Sequence, residues 1–92
     1  MTWSVNLSDR VKKSTKKLPK AVEAAFNLLL AEIELKGPVR GNWANYGKLG
    51  EGRHHCHLKK GRPTYVAVWE ETDRTVRIIE VTYVGTHEKA PY

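Results

Sequence analysis

Hydrophobic and polar residues alternate at the start of the chain. Trp3, Val5 and Leu7 are interleaved with Ser4 and Asn6, which predicts a short strand with one buried face. Ser8 or Asp9 follows, and either can cap a helix by accepting a bond from a free backbone N–H. The predicted helix, Arg10–Lys17, is apolar mainly at Val11, with Leu18 just beyond it, so it belongs on the surface. Pro19 suits the first turn of a second helix, where its missing N–H costs nothing. That helix, Lys20–Leu35, is the strongest periodic signal. Leu18, Val22, Phe26, Leu29 and Ile33 recur at spacings of three and four, with Ala25 and Leu30 beside them. Lys20, Glu23, Asn27, Glu34 and Lys36 fall mostly elsewhere, and Gly37-Pro38 ends the helix.

The second half changes period. Gly37, Gly41, Gly47, Gly50 and Gly52 mark residues 37–53 as a loop, which Trp43 and Tyr46 can pin to the body. His54–Leu58 and Tyr65–Glu70 read as strands about a turn at Lys59-Lys60-Gly61-Arg62-Pro63. A second turn, Thr72-Asp73-Arg74, leads into a long β-branched strand, Val76–Val84, and Gly85–Tyr92 form a tail. Two tight connections predict an antiparallel meander. The order β-α-α-β-β-β in 92 residues predicts one α+β domain, an antiparallel sheet with two helices packed on one face.

Charge adds a partner class. Residues 1–20 carry +5, residues 21–35 carry −3, residues 36–62 carry +6 and residues 63–92 carry −2, for a net +6. Two basic blocks on a small body suit a polyanion, and phosphate backbones are the commonest. No run of eighteen apolar residues is present, so no membrane association is expected. Met1–Asp9 lacks the charged and apolar segments of a secretory signal. With Cys56 as the sole cysteine, a cytoplasmic home is the expectation.

The candidate chemistry lies in His54-His55-Cys56-His57-Leu58. Side chains alternate along a strand, so Cys56 and Leu58 are expected to face the helices. His55, His57 and then Lys59 are expected on the open face, beside Lys60 and Arg62 in the turn. Imidazole titrates near neutrality, so one histidine can take a proton while another gives one. RNA cleavage by 2′-hydroxyl attack needs that pair, and a cation for the charge growing on the phosphate. Trp43, Tyr46, Tyr65 or Tyr92 can stack on bases. Zinc is a rival reading for His55 and His57, but only Cys56 and His87 remain as further ligands, and Cys56 is expected on the other face. Trp3 and Trp69 read as packing, and Lys12, Lys13, Lys16 and Lys17 as a solvated helix face.

Three stretches carry a family resemblance: Gly41-Asn42-Trp43-Ala44-Asn45-Tyr46, Cys56-His57-Leu58 and Val84-Gly85-Thr86-His87-Glu88. In this order and spacing the chain resembles the RelE-like toxins, and within them the YafQ-type branch. The resemblance implies a metal-independent, cofactor-free endoribonuclease that cuts mRNA, often on the ribosome, and is silenced by a cognate antitoxin. It implies catalytic roles for His57 and His87, an RNA-positioning role for Tyr92, and phosphate contacts from Lys59, Lys60 and Arg62. Two positions depart from the branch. Gly37 stands where a histidine often precedes the proline after the second helix, and Lys59-Lys60-Gly61-Arg62 replaces a turn that holds an acid. His55 is the candidate for the missing histidine and Glu70 for the acid. Two other functions fit such a scaffold: a gyrase poison of the ParE type, and an RNA-binding module without chemistry.

Overall fold

The N-terminal alternation becomes strand β1, Ser4–Leu7, in a computed structural model that describes residues 2–92. Ser8 caps helix α1, Asp9–Thr15, its Oγ accepting from the Val11 backbone N–H at 3.2 Å. Helix α2, Lys20–Lys36, buries the predicted stripe of Val22, Phe26, Leu29 and Ile33. It stops at Gly37, whose φ of +97° suits glycine. A Cβ there would also stand 3.1 Å from Trp3 Nε1.

The glycine-rich segment is not all loop. Gly47–Gly50 forms an edge strand, β2, paired antiparallel with β3, Arg53–Lys59. The predicted pattern gave no sign of it, because glycines supply backbone hydrogen bonds but no alternation of side chains. Strand β4, Tyr65–Asp73, and strand β5, Ile78–Thr86, complete a five-stranded sheet in the order β1-β5-β4-β3-β2. β5 begins two residues later than its pattern suggests. Asp73 Oδ1 accepts from the backbone N–H groups of Thr75 (2.9 Å) and Val76 (3.1 Å), which holds both in the turn.

The expected antiparallel sheet needs one correction. The meander is antiparallel, but β1 pairs parallel with β5, from Ser4↔Ile78 to Leu7↔Val81. No tight turn joins these two strands, so no local signal set the direction of β1. The architecture remains α+β, with two helices packed on one face of a mixed sheet.

The main core lies between helices and sheet. Val11, Phe26, Leu29, Ile33, Cys56, Ala67, Trp69, Ile79, Val81 and Val84 fill it. Trp69 is fully buried and donates Nε1–H to the Pro38 carbonyl at 2.9 Å. The other face is not bare as expected. Val66, Val68 and Tyr83 form a second cluster there, with Leu49 and Ala90 against it. The chain after β5 thus folds back over this face through a 3-10 turn at His87–Lys89. Among the described residues no helix is long and apolar enough to cross a membrane.

Candidate active site

Alternation along β3 sorts its three histidines. His54 and Cys56 are buried toward the helices, while His55 and His57 are half-buried on the other face. The two faces serve different ends. His54 is stacked on Trp69 with rings 8° from parallel, and its two nitrogens meet Tyr46 Oη and Glu71 Oε2, each at 2.7 Å. It is a core residue whose polar atoms are satisfied by neighbours. Cys56 is equally enclosed, and burial pushes its thiol up to about 12, which leaves it inert as a nucleophile or ligand.

On the open face, strand pairing and the C-terminal turn bring distant histidines together. The His57 backbone N–H donates to the Ala44 carbonyl, and that of His87 to the Thr64 carbonyl, both at 2.8 Å. The two rings meet edge to face with centroids 5.5 Å apart. Tyr92 lies 4.7 Å from His55 and 5.8 Å from His87. The rings thus run His57, His87, Tyr92, His55. Beside His57 and His87 opens a cleft of about 620 Å³, also lined by Gly61, Arg62, Pro63, Thr64 and Glu88.

The approach to His87 is shaped by its motif. Tyr83 Oη donates to the Thr86 carbonyl at 2.7 Å, directly before His87. A Cβ on Gly85 would stand 2.8 Å from that oxygen, so glycine is what lets the phenol reach across. Gly47 does the same for His55, whose Nε2 lies 3.1 Å from where a Cβ would be. Gly47→Ala is expected to tilt the His55 ring and loosen Tyr92, read as higher mobility of the Tyr92 ring by NMR with little loss of helix signal.

Protonation follows from these surroundings. Burial lowers the pKa of His57, and the charges of His87 and Lys60 lower it further. Burial also lowers that of His55, followed by the charges of His57 and His87. Both rings are therefore held toward the neutral, proton-accepting form. The unfolded chain takes up protons near a pH of about 6.5, before the folded chain does. Stability from these two sites is complete above that pH and declines as pH falls below it. A melting series from neutral to acid should show this decline, and His55→Gln should flatten it. An equally steep decline in the variant would contradict the assignment.

Other expected site residues are placed less uniformly. Arg62 lines the cleft, and Lys60 is close enough to act on the charge of His57. Lys59 does not continue the histidine row. A bulge after His57 sets Lys59 opposite Tyr65, one residue out of step with Val66 on the open face. Glu70 sits opposite Arg53 and Glu80, four residues along β4 from the partner of His57, and cannot serve the cleft. The acid that does line it is Glu88, next to His87 in the motif, a position the sequence reading passed over. Trp43 and Tyr46 pack toward the main core, and Tyr92 is the aromatic ring placed among the open-face histidines. Trp43 Nε1, Asn42 Nδ2 and Arg40 Nη1 all converge on Glu32 Oε1, at 2.9, 3.0 and 3.1 Å, and hold its carboxyl below the usual range. Among the described residues no group of three or more His, Cys, Asp or Glu is placed to hold a metal ion.

No family model matches the chain, and no curated protein matches it closely enough to count. Solved structures do. A mutant of the Escherichia coli toxin RelE in the free state superposes with a TM-score of 0.73, at 18% identity, over 98% of this chain and 88% of that one. The isolated E. coli RelE toxin gives 0.67 at 20% identity, over 97% and 88%. The archaeal RelE–RelB complex from Pyrococcus horikoshii OT3 gives 0.64 at 16% identity, over 98% and 100%. The fold is that of the RelE toxins. At these identities the likeness describes the backbone, so what the RelE scaffold carries here is judged from this chain's own side chains.

Proposed function

We propose that this chain is the toxin of a type II toxin–antitoxin pair, a RelE-like endoribonuclease closest to the YafQ-type branch, acting on mRNA at the ribosome in the cytoplasm. The observation that carries this is the meeting of His57 and His87, thirty residues apart in sequence, at 5.5 Å beside Arg62 in one open cleft. A core-packing role would bury such rings and satisfy their nitrogens, as it does for His54. A gyrase poison has no need of a titratable pair at a basic cleft.

The reaction assigned to the site is transphosphorylation. His57, held neutral, accepts the proton of the ribose 2′-hydroxyl. The 2′-oxygen forms a bond to phosphorus, the bond from phosphorus to the 5′-oxygen breaks, and His87 donates the proton that the leaving oxygen requires. Arg62 and Lys60 stabilise charge on the phosphoryl oxygens. Tyr92, 44% exposed, offers a ring face to a base, and His55 supports that ring from behind. No step calls on a metal or an organic cofactor. The archaeal relative is recorded in complex with RelB, which supports a cognate antitoxin as the silencing partner. A segment of opposite charge across the basic cleft would suit that role.

Purified chain incubated with mRNA in EDTA, with and without ribosomes, tests the reading. Cleavage that resists EDTA and disappears in His57→Ala is the expected result. Intact RNA under both conditions would overturn it.

A further inference from the structure

We propose that the groove between α1 and the outer edge of β5 is a second phosphate-binding site, which grips the RNA backbone beside the nucleotide being cut. The proposal rests on the ribonuclease reading above and extends it to the neighbouring residues of the substrate.

The groove exists because β1 is short. β1 covers β5 only from Ile78 to Val81. There the Ser8 backbone N–H donates to the Val81 carbonyl at 3.2 Å, and the chain turns away into α1. From Thr82 onward the outer edge of β5 faces a helix, not a strand. The space between holds about 300 Å³. Arg10, Ser14 and Lys17 line it from the α1 side, and Tyr65, Thr86 and Lys89 from the end of the sheet.

Its charge is one-sided. Arg10, Lys17 and Lys89 bring three cations, and no acid lines the groove. Among the described residues none of the three is paired with a carboxylate. Like charges collected without a counter-charge repel, and an anion bound between them removes that cost. Lys12, Lys13 and Lys16, on the same segment, do not line it, so the grouping is not merely the overall basic charge of α1.

Its position supplies the ligand. Thr86 and Lys89 line this groove, while His87 and Glu88, between them in sequence, line the catalytic cleft. The 3-10 turn is therefore a shared wall. A single strand crossing it sets one phosphate at the histidines and a neighbouring phosphate among the three cations. The Tyr65 ring, on the helix side by its pairing with Thr86, adds a stacking surface there.

The test measures binding, so it does not depend on cleavage. Fully 2′-O-methylated RNAs of three and nine nucleotides are titrated against the full chain over a range of salt. A triple variant, Arg10→Gln with Lys17→Gln and Lys89→Gln, removes the groove's cations. A control, Lys12→Gln with Lys13→Gln and Lys16→Gln, removes the same charge outside it. The triple variant is expected to bind the nine-mer about ten-fold more weakly. Its slope of log K against log salt should fall by about 2, the loss of three phosphate contacts on a single strand. The three-mer, held in the histidine cleft alone, should lose much less, and the control should leave the slope in place. Equal losses in triple variant and control, or for both RNA lengths, overturn the proposal. So does tighter groove-dependent binding of poly-glutamate than of RNA, which would assign the groove to an acidic protein. If the slope difference holds while the wild-type chain cuts no RNA, the groove stands and the catalytic reading falls.

Discussion

His87→Ala is expected to slow RNA cleavage by about a hundred- to ten-thousand-fold, the range for losing one positioned acid or base. His57→Ala should cost a similar factor. The double variant should be little worse than either, because the two groups act together on one transphosphorylation, one taking a proton and the other giving one, and their losses do not add. Binding is a separate matter. Arg62, Lys60 and the cations beyond the 3-10 turn remain in both variants, so affinity for non-cleavable RNA should stay within about two-fold. His87 is exposed and its fixed atom is a backbone N–H to the Thr64 carbonyl, which alanine retains. The variant should therefore melt close to the parent. Single-turnover cleavage alongside a melting curve checks both statements. If His87→Ala cuts as fast as the parent, the proton donor lies elsewhere and the site is misassigned.

Glu32→Ala is expected to give the largest loss of stability among substitutions outside the hydrophobic core. One carboxylate oxygen receives Arg40, Asn42 and Trp43, three side chains of the loop between α2 and Tyr46. Hydrogen bonds to a charged group contribute about 1.5–3 kcal/mol each when well shielded. Here they share one oxygen and Asn42 is exposed, so the whole set is worth about 2 kcal/mol. For a domain of this size that lowers Tm by about 10 °C. The same loop presents the Ala44 carbonyl to His57 and the Tyr46 hydroxyl to His54. Releasing it should reduce the cleavage rate as well, though by less than removal of a histidine. Thermal melting decides the first effect, and an unchanged Tm would show that the loop is held without Glu32, by Trp43 packing and by the bonds to the Pro38 and Ala44 carbonyls.

The fold was legible where side chains alternate or repeat, and illegible where backbone alone does the pairing. The apolar stripe of α2 and the three long strands followed from periodicity. β2 did not, because Gly47 and Gly50 contribute hydrogen bonds without a pattern of side chains. The parallel pairing of β1 with β5 joins segments far apart in the chain, a tertiary fact with no local trace. At the site, parity placed His55 and His57 correctly. It failed one step later at Lys59, where an extra residue in β3 shifts the register. The pairing of His57 with His87 came from the motif resemblance, since nothing local brings position 87 back over β3. It needs the antiparallel return of β5 and a glycine at 85 that lets Tyr83 hold the turn. Glu88 was overlooked because a lone acid beside a histidine carries no periodic signal.

The identity of the RNA ends tests the central claim most directly. Attack by the 2′-hydroxyl under the two histidines leaves a 2′,3′-cyclic phosphate on one fragment and a free 5′-hydroxyl on the other. A single 2′-deoxy substitution at the cut position should abolish cutting there. Fragments ending in 5′-phosphate, or continued cleavage at the deoxy position, would contradict the account.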